Sequence, residues 1–373
     1  MTRIVEPPRP EPGSERARPD AAPAPAARAS VAGTRLAYVD RLRVGAAMAV
    51  VMIHVAAMNW TTTSPTSPGW QAMNVYSALS RWSVPVFFMI SGALFLTPGR
   101  QDSPQRAWRH YIPRLLVMFV AWSAAYTVMS AVFQRVSDPL FLLQHLWDGY
   151  YHLWYLLALA GVYMLIPLLQ RIAAVPELAR YFVVLTGIAS VTVPSLALVP
   201  VLGGLSSNLL ERVGPYLAAG FPFYFVLGHL LHEHAGALSR RSRLAVYAAG
   251  ILGVIVTVAG TAWASLATGQ PNGTLYGYLS IGIVLAAMAV YLFARLRNPG
   301  AATTPRLAAL ARLTLPIYLI HPAFVRVIQE FDITPGLIPS AIGIPLVWLV
   351  VLALSALASA LLVRIPFVNN WLV

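Results

Sequence analysis

Apolar residues fall in long blocks along this chain, separated by short polar connections, and the spacing of the blocks predicts its architecture. A helix needs about 20 apolar residues to cross a hydrocarbon layer. Ten segments qualify: 36–58, 78–97, 112–133, 151–170, 180–200, 214–234, 243–267, 275–295, 308–328 and 338–363. Their length and continuity predict an all-α, polytopic membrane protein with about ten transmembrane helices. The fifth segment is the least regular, because Pro194 and Pro200 interrupt it. Residues 1–34 are rich in Pro, Ala and Arg and hold no apolar block. They read as a disordered tail ahead of a membrane domain over 35–373, with no signal peptide before the first span.

Composition sharpens this picture by exclusion. Hydrophobic residues make up 58% of the 373 and charged residues 10%, with a mean hydropathy of +0.67, which rules out an ordinary soluble domain. There is no cysteine, so disulfides, a Cys nucleophile and a Cys-ligated metal are excluded. All 26 basic residues are arginine, against 13 acids, for a net charge of +13. Such a charge alone suits nucleic acid or anionic lipid, but its distribution reads as topology. With the amino terminus inside, 22 of the 26 arginines fall on the cytoplasmic side, which supports both termini being cytoplasmic and leaves no reason to expect nucleic acid. The five arginines before Val31 suit contact with anionic lipid.

The first segment is the most informative. Residues 40–60, DRLRVGAAMAVVMIHVAAMNW, are apolar apart from the ends and one histidine. Arg43 and His54 are eleven positions apart, so on a helix they lie about 20° apart in azimuth and roughly 16 Å apart along the axis. Ala47 and Val50 come between them, with Gly45, Ala46 and Ala49 nearby, leaving a small-sided groove. An ionisable group inside an apolar span is costly unless paired or hydrated, so His54 needs a partner, a cavity or a chemical task. A plain packing role, hydrogen-bonded to a neighbouring span, meets the same demand.

Depth sorts the other polar residues. His54, His152 and His321 all fall toward the outer face, where they can share one cavity if their helices are neighbours. No HxxxH or HExxH spacing and no nearby carboxylate supports a metal site, and no metal is expected. His229, His232 and His234, in GHLLHEH, read as a solvated cluster at the cytoplasmic edge, with Glu233 pointing elsewhere; His110 and His145 read as loop residues. The outer connections 59–77 and 268–274 are polar but uncharged, which suits plain turns and equally a mouth for a hydroxyl-rich ligand. Arg81 sits near the outer end of the second span, where it can snorkel, and Pro85, Ser91 and Gly92 mark a kink and a close helix approach. The inner loop RQDSPQRAWRHYIPR sets Arg106, Arg109 and Arg114 among Trp108 and Tyr111. Guanidinium forks bind phosphates and aromatic rings stack on purines, chemistry suited to coenzyme A, although any inner loop of this kind is arginine-rich.

Several of these stretches together resemble one family. DRLRVGAAMAVVMIH, VPVFFMISGALF, the Arg106 and Arg109 RxxR pair, HLWYLLALAGVYMLIPLL and LPIYLIHP, spread over residues 36–325, are similar to motifs of the membrane acyltransferase 3 family. These are bacterial inner-membrane enzymes that O-acylate sugars and related acceptors from acyl-CoA. VPVFFMISG and HLWYL resemble the branch of the enterobacterial common antigen acetyltransferase and poly-N-acetylglucosamine modification proteins. With no SGNH hydrolase domain after the last span, the resemblance implies a standalone multi-pass O-acetyltransferase of the bacterial inner membrane. Its implied partners are acetyl-CoA or another acyl-CoA as donor, a carbohydrate or glycolipid acceptor and the lipid bilayer, and a homo-oligomer is compatible with it.

The resemblance also implies that Arg43 and His54 are essential and that the RxxR arginines handle the donor. Arg106, Arg109 and Arg114 would hold the CoA phosphates, and Arg43 would guide the donor or pair with Asp40. His54 would act as general base or as nucleophile, two routes the sequence does not separate. Arg81, His152, Trp154 and His321 are candidates for holding the acceptor or the thioester oxyanion. The rival reading from another class is an exporter of a polysaccharide or lipid-linked sugar, which ten spans and buried polar groups would serve equally.

Overall fold

The computed structural model describes residues 35–196 and 220–366. The tail expected over 1–34 lies outside them, as do Pro200 and Arg212. The chain divides into Met1–Arg35 and Leu36–Val373, and the fold described below belongs to the second unit. Among the described residues that unit is helical throughout, apart from one isolated antiparallel bridge between Leu36 and Ala302.

The helices follow the apolar blocks. They are α1 (Ala37–Ala56), α2 (Pro68–Ser80), α3 (Ser83–Phe95), α4 (Ile112–Gln134), α5 (Pro139–Asp148), α6 (Trp154–Met164), α7 (Ile166–Ala173), α8 (Pro176–Gly187), α9 (Gly220–His234), α10 (Arg240–Thr268), α11 (Ile281–Arg297), α12 (Pro305–Arg312), α13 (Thr314–Glu330) and α14 (Ser340–Leu362). Among the described residues five stretches are long and apolar enough to cross a membrane: Pro68–Phe95, Pro104–Gln134, Arg240–Thr268, Thr274–Arg297 and Ser340–Leu362. Two bent pairs raise this to seven if each is one span, α6 with α7 at 59° and α12 with α13 at 47°. Pro167 and Pro316 lie in the first turn of the second helix of each pair, where the missing amide hydrogen interrupts the ladder. The other three expected segments fall short for identifiable reasons. α1 carries Asp40, Arg41 and Arg43 in its first two turns, and the segments at 180–200 and 214–234 run into residues outside the described set.

Local chemistry corrects several sequence expectations. The outer connection 59–77 is shorter than expected, because Pro68 starts α2 and Ser67 caps it by accepting the Trp70 amide at 3.1 Å. The irregular point in the second span is Arg81–Trp82, between α2 and α3, rather than Pro85 to Gly92. His145 lies on α5, begun by Asp138 as cap and Pro139 at its first position, and is not a loop residue.

α1 occupies the centre, packed against α2, α3, α11, α12, α13 and α14. The closest crossing is α3 on α9, and glycine permits it on both sides. A side chain at Gly92 would run into the Phe225 carbonyl, and one at Gly228 into the Met89 carbonyl. This is the close approach that the sequence placed at Gly92, and small residues at such crossings let membrane helices gain dispersion contacts that lipid cannot supply. Phe88, Phe225 and Tyr224, fully buried, fill the space beside it. Gly228→Val should therefore force the two helices apart at a cost of about 1–3 kcal/mol. Gly161→Ala on α6, where an added methyl meets nothing within 4 Å, should be neutral or gain up to about 1 kcal/mol. Thermal unfolding of the detergent-solubilised variants checks both, and an unchanged melting temperature for Gly228→Val would show that the crossing yields.

Candidate functional site

The polar residues gather in two groups, one on the wall of a cavity and one beyond the cavity's far end. At the arginine-rich end, Asp40 on α1 is fully buried and accepts a 2.8 Å hydrogen bond from the Thr303 hydroxyl, while the Arg43 guanidinium stands 3.8 Å away. Arg43 lines a cavity of about 620 Å³ together with His110, Tyr111 and Arg114. At its other end the cavity reaches Tyr155 on α6 and Tyr318 on α13, and between the two ends its wall is largely apolar, including Val50, Val84 and Leu159. Tyr163, near Tyr111, and Tyr155 are eight residues apart on one face of α6, so the cavity extends roughly 12 Å along that helix. A volume of this size accommodates a small-molecule ligand.

The segment that closes the arginine-rich end is built around Asp102. Its carboxylate accepts from Arg100 Nε at 2.7 Å, from the Tyr111 hydroxyl at 3.0 Å and from Gln170 Nε2 at 3.0 Å, and its amide donates to Gln170 Oε1 at 2.7 Å. Burial by itself would raise the Asp102 pKa, but the hydrogen bonds from Arg100, Gln170 and Tyr111, with the Arg100 charge, hold it below the ordinary carboxylate range. Ser103 then caps a short turn at Pro104, and the chain continues through a π-turn, Ala107–Tyr111, into α4. His110 belongs to that π-turn, not to a loop, and the extra residue of the turn brings it and Tyr111 to the cavity wall. The three arginines expected to act together are thereby divided. Arg106 turns to Asp102 at 3.4 Å, Arg109 is exposed on the π-turn, and Arg114 lines the cavity.

Beside Tyr318, beyond the cavity wall, three imidazoles meet. The ring centres of His54 and His321 are 5.1 Å apart, and those of His321 and His152 are 5.7 Å apart. His54 is half-buried, whereas His152 and His321 are buried. The structure therefore brings these three residues together, as ring neighbours rather than as the lining of a described cavity. Tyrosines surround them: Tyr151 lies 5.0 Å from His54, and Tyr126 and Tyr318 lie 5.2 and 5.3 Å from His152. The Tyr318 hydroxyl donates to the His152 carbonyl, and the Tyr126 hydroxyl to the Leu319 carbonyl at 2.7 Å, tying α13 to α4 and to the turn before α6. Both ring nitrogens of His152 and Nε2 of His321 have no hydrogen-bond partner. Among the described residues no group of three His, Cys, Asp or Glu side chains is placed to hold a metal ion.

The remaining candidates lie around this end. Arg81 donates to the Tyr276 carbonyl at 3.3 Å, with its guanidinium 4.4 Å above the Tyr276 ring, and its charge reaches His54. It therefore packs into the protein rather than snorkelling. Trp154 stacks on Tyr278 at 5.5 Å and on Phe221 at 5.6 Å. The GHLLHEH histidines correct the expectation of a solvated cluster. His229 is buried, and His232 Nδ1 is 2.5 Å from the Tyr38 hydroxyl, which links α9 to α1. Glu233 is not turned away from them, since it stands 3.8 Å from His232 and shares a cavity wall with His229. Sequence reasoning missed Asp102, Tyr151, Tyr155 and Tyr318. For Asp102 a signal was present, a lone acid inside an arginine-rich loop; the tyrosines are indistinguishable from core aromatics until their helices are placed.

These features describe a helical membrane protein whose cavity runs from Arg43 and Arg114 to Tyr155 and Tyr318, with a cluster of three imidazoles beside Tyr318. The acyltransferase domain of the acyltransferase 3 family matches residues 36–364, and the chain belongs to that family. No curated protein and no solved structure matches it. The protein is accordingly a membrane acyltransferase, and its cavity is the place to seek the chemistry.

Because Asp102 has a lowered pKa, its contribution to stability is complete above the unfolded carboxylate pKa and is lost as the pH falls through the folded value. Wild-type protein should lose melting temperature through the acid range. Asp102→Asn should be less stable at neutral pH and show a flatter acid limb, and parallel pH profiles for the two proteins would refute the assignment.

Proposed function

We propose that this membrane acyltransferase moves an acyl group, foremost acetyl, from cytoplasmic acyl-CoA to a hydroxyl of a carbohydrate or glycolipid acceptor on the far side of the membrane. The observation that supports this most directly is a cavity with Arg43 and Arg114 at one end and Tyr318 at the other, where the Tyr318 ring stands 5.3 Å from that of His152 in the imidazole cluster that holds His54. In this reading the arginine-rich end faces the cytoplasm, both termini lie inside, and the chain crosses a bacterial inner membrane about ten times, in keeping with the positive-inside distribution.

The donor has a phosphorylated adenine nucleotide at one end and an uncharged pantetheine arm ending in the thioester. Arg114, with Arg106 and Arg109 at the rim, supplies guanidinium groups for the phosphates, and Trp108, exposed on the same turn, offers a face to the purine. Arg43 stands farther in, at the start of the apolar passage, where its charge guides the last phosphate before the arm enters. Its Asp40 partner, itself held by Thr303, keeps the guanidinium directed along α1. The arm then spans the roughly 16 Å between Arg43 and His54.

At the thioester, His54 acts on the acceptor. As general base it takes the hydroxyl proton while the hydroxyl oxygen bonds to the acyl carbon and the carbon–sulfur bond breaks; the proton then passes to the CoA thiolate. As nucleophile it first takes the acyl group itself, releasing CoA, and the acceptor hydroxyl then attacks the acyl-imidazole. Both routes balance and both end in an ester and free CoA thiol. Arg81 and His152 supply positive charge and hydrogen-bond donors for the developing oxyanion, and Trp154, stacked beside the same end, offers an aromatic face to a sugar ring.

Membranes from the source cells, which bring the native acceptor, should transfer label from radioactive acetyl-CoA to envelope carbohydrate. His54→Ala should reduce this at least about 100-fold, while the purified variant should still be stabilised thermally by acetyl-CoA. Arg114→Ala should instead weaken the thermal stabilisation, which reports donor binding by mass action. Retained transfer by well-expressed His54→Ala would overturn the site, and no stabilisation of wild type by acetyl-CoA would favour an exporter.

A further inference from the structure

His54 faces a problem that the donor and acceptor do not solve. Whichever route it follows, one ring nitrogen must offer a lone pair to the reacting atoms while the other holds the proton. An imidazole left alone exchanges its two tautomers, so enzymes fix the useful one with an acceptor for the second N–H, commonly a carboxylate or a carbonyl. Among the described residues, the groups whose charge reaches His54 are His321 and Arg81, neither of them a carboxylate.

His321 is arranged to fill that role. Its Nδ1 lies 3.1 Å from the Ile317 carbonyl one turn earlier on α13, and a carbonyl only accepts, so Nδ1 carries the hydrogen. The neutral ring then has a bare lone pair on Nε2, which is buried and has no partner. A buried acceptor without a donor is destabilising, which calls for a donor in the working enzyme. The nearest imidazole is His54. An N–H···N bond of about 3 Å between two imidazoles puts their ring centres roughly 5 Å apart, and the observed separation is 5.1 Å. The two rings are tilted at 35° to one another, and their spacing suits an edge-to-edge pair, reached by rotation of the His54 ring within its half-buried site.

We propose that His321 is the positioning residue of this acyltransferase: its Nε2 lone pair accepts the N–H of His54, selects the reactive tautomer and steadies the imidazolium as His54 gains a proton or an acyl group. The inference rests on His54 being the reactive group. Proline at position 322 supports the arrangement locally. Pro322 has no amide hydrogen to give the Tyr318 carbonyl, so α13 loses a ladder bond beside His321. The Tyr126 hydroxyl bonded to the Leu319 carbonyl and the Tyr318 hydroxyl bonded to the His152 carbonyl hold the weakened turn in place.

The test compares His321→Gln with His321→Leu in the acetyl-transfer assay on native membranes, with acetyl-CoA thermal stabilisation of each purified variant as the check on folding and donor binding. Gln places a side-chain oxygen where Nε2 stood and can accept the His54 N–H; Leu fills similar space without an acceptor. The expected result is a kcat loss on the order of 10-fold or more for Leu, a smaller loss for Gln, and an unchanged KM for acetyl-CoA in both. A structural role predicts the reverse, with Leu tolerated at least as well as Gln, and equal activity of wild type and Leu would overturn the proposal outright. Inactive His54→Ala alongside fully active His321→Leu would reject His321 alone, whereas active His54→Ala would reject the site on which it depends. If both His321 variants fail to be stabilised by acetyl-CoA, the residue serves the fold and the proposal falls.

Discussion

The cost of holding polar groups inside an apolar bundle governs this structure. Each such group must meet a partner or a cavity, and α1, packed against six other helices, carries the groups for both. Asp40 is paid for by Thr303 and Arg43 at the start of the helix. His54, near its end, meets the rings of Tyr151 and His321 and lies within reach of the Arg81 charge. One end of α1 is thus satisfied within the protein, while beside the other a buried acceptor, Nε2 of His321, is unmet. That contrast marks where a ligand has most to contribute, since a ligand's hydrogen bond to an unmet buried group replaces a loss rather than a contact with water.

The cavity repeats the contrast along its length. Its arginine-bearing end and apolar middle lead to two tyrosines, Tyr155 and Tyr318, and the ring of Tyr318 stands against His152. The network around Asp102 gives the rim its shape. With Arg100 and Arg106 both drawn to one buried carboxylate, the loop after α3 becomes a fixed edge, and the π-turn that follows can present His110 and Tyr111 from a defined position.

Much of this was legible in the sequence because membrane insertion leaves strong one-dimensional marks. Apolar blocks located the helices, and His54, anomalous inside such a block, pointed to the imidazole cluster. The gathering of His152 and His321 around it was readable as depth but not as contact, since no periodicity reports which helices are neighbours. Two kinds of feature were not readable. The first is pairing between distant segments, such as Asp102 with Gln170 or Tyr38 with His232, which turned an apparently solvated histidine cluster into part of the α1–α9 contact. The second is local irregularity: the π-turn at 107–111 and the bends at Leu165 and Leu313 shift side chains by a fraction of a turn, and that fraction divides Arg106 and Arg109 from Arg114.

Glycine links the scaffold to the chemistry. α3 carries Phe87, Ser91 and Phe95 on the cavity wall, and the same helix lies against α9 through Gly92 and Gly228. α9 in turn holds α1 through His232 and Tyr38. A wider crossing at either glycine would displace the cavity wall and the helix that bears Arg43 and His54 together, because both are referred to α9. The small residues at this crossing set the width of the passage between the two polar ends, even though neither of them lines it.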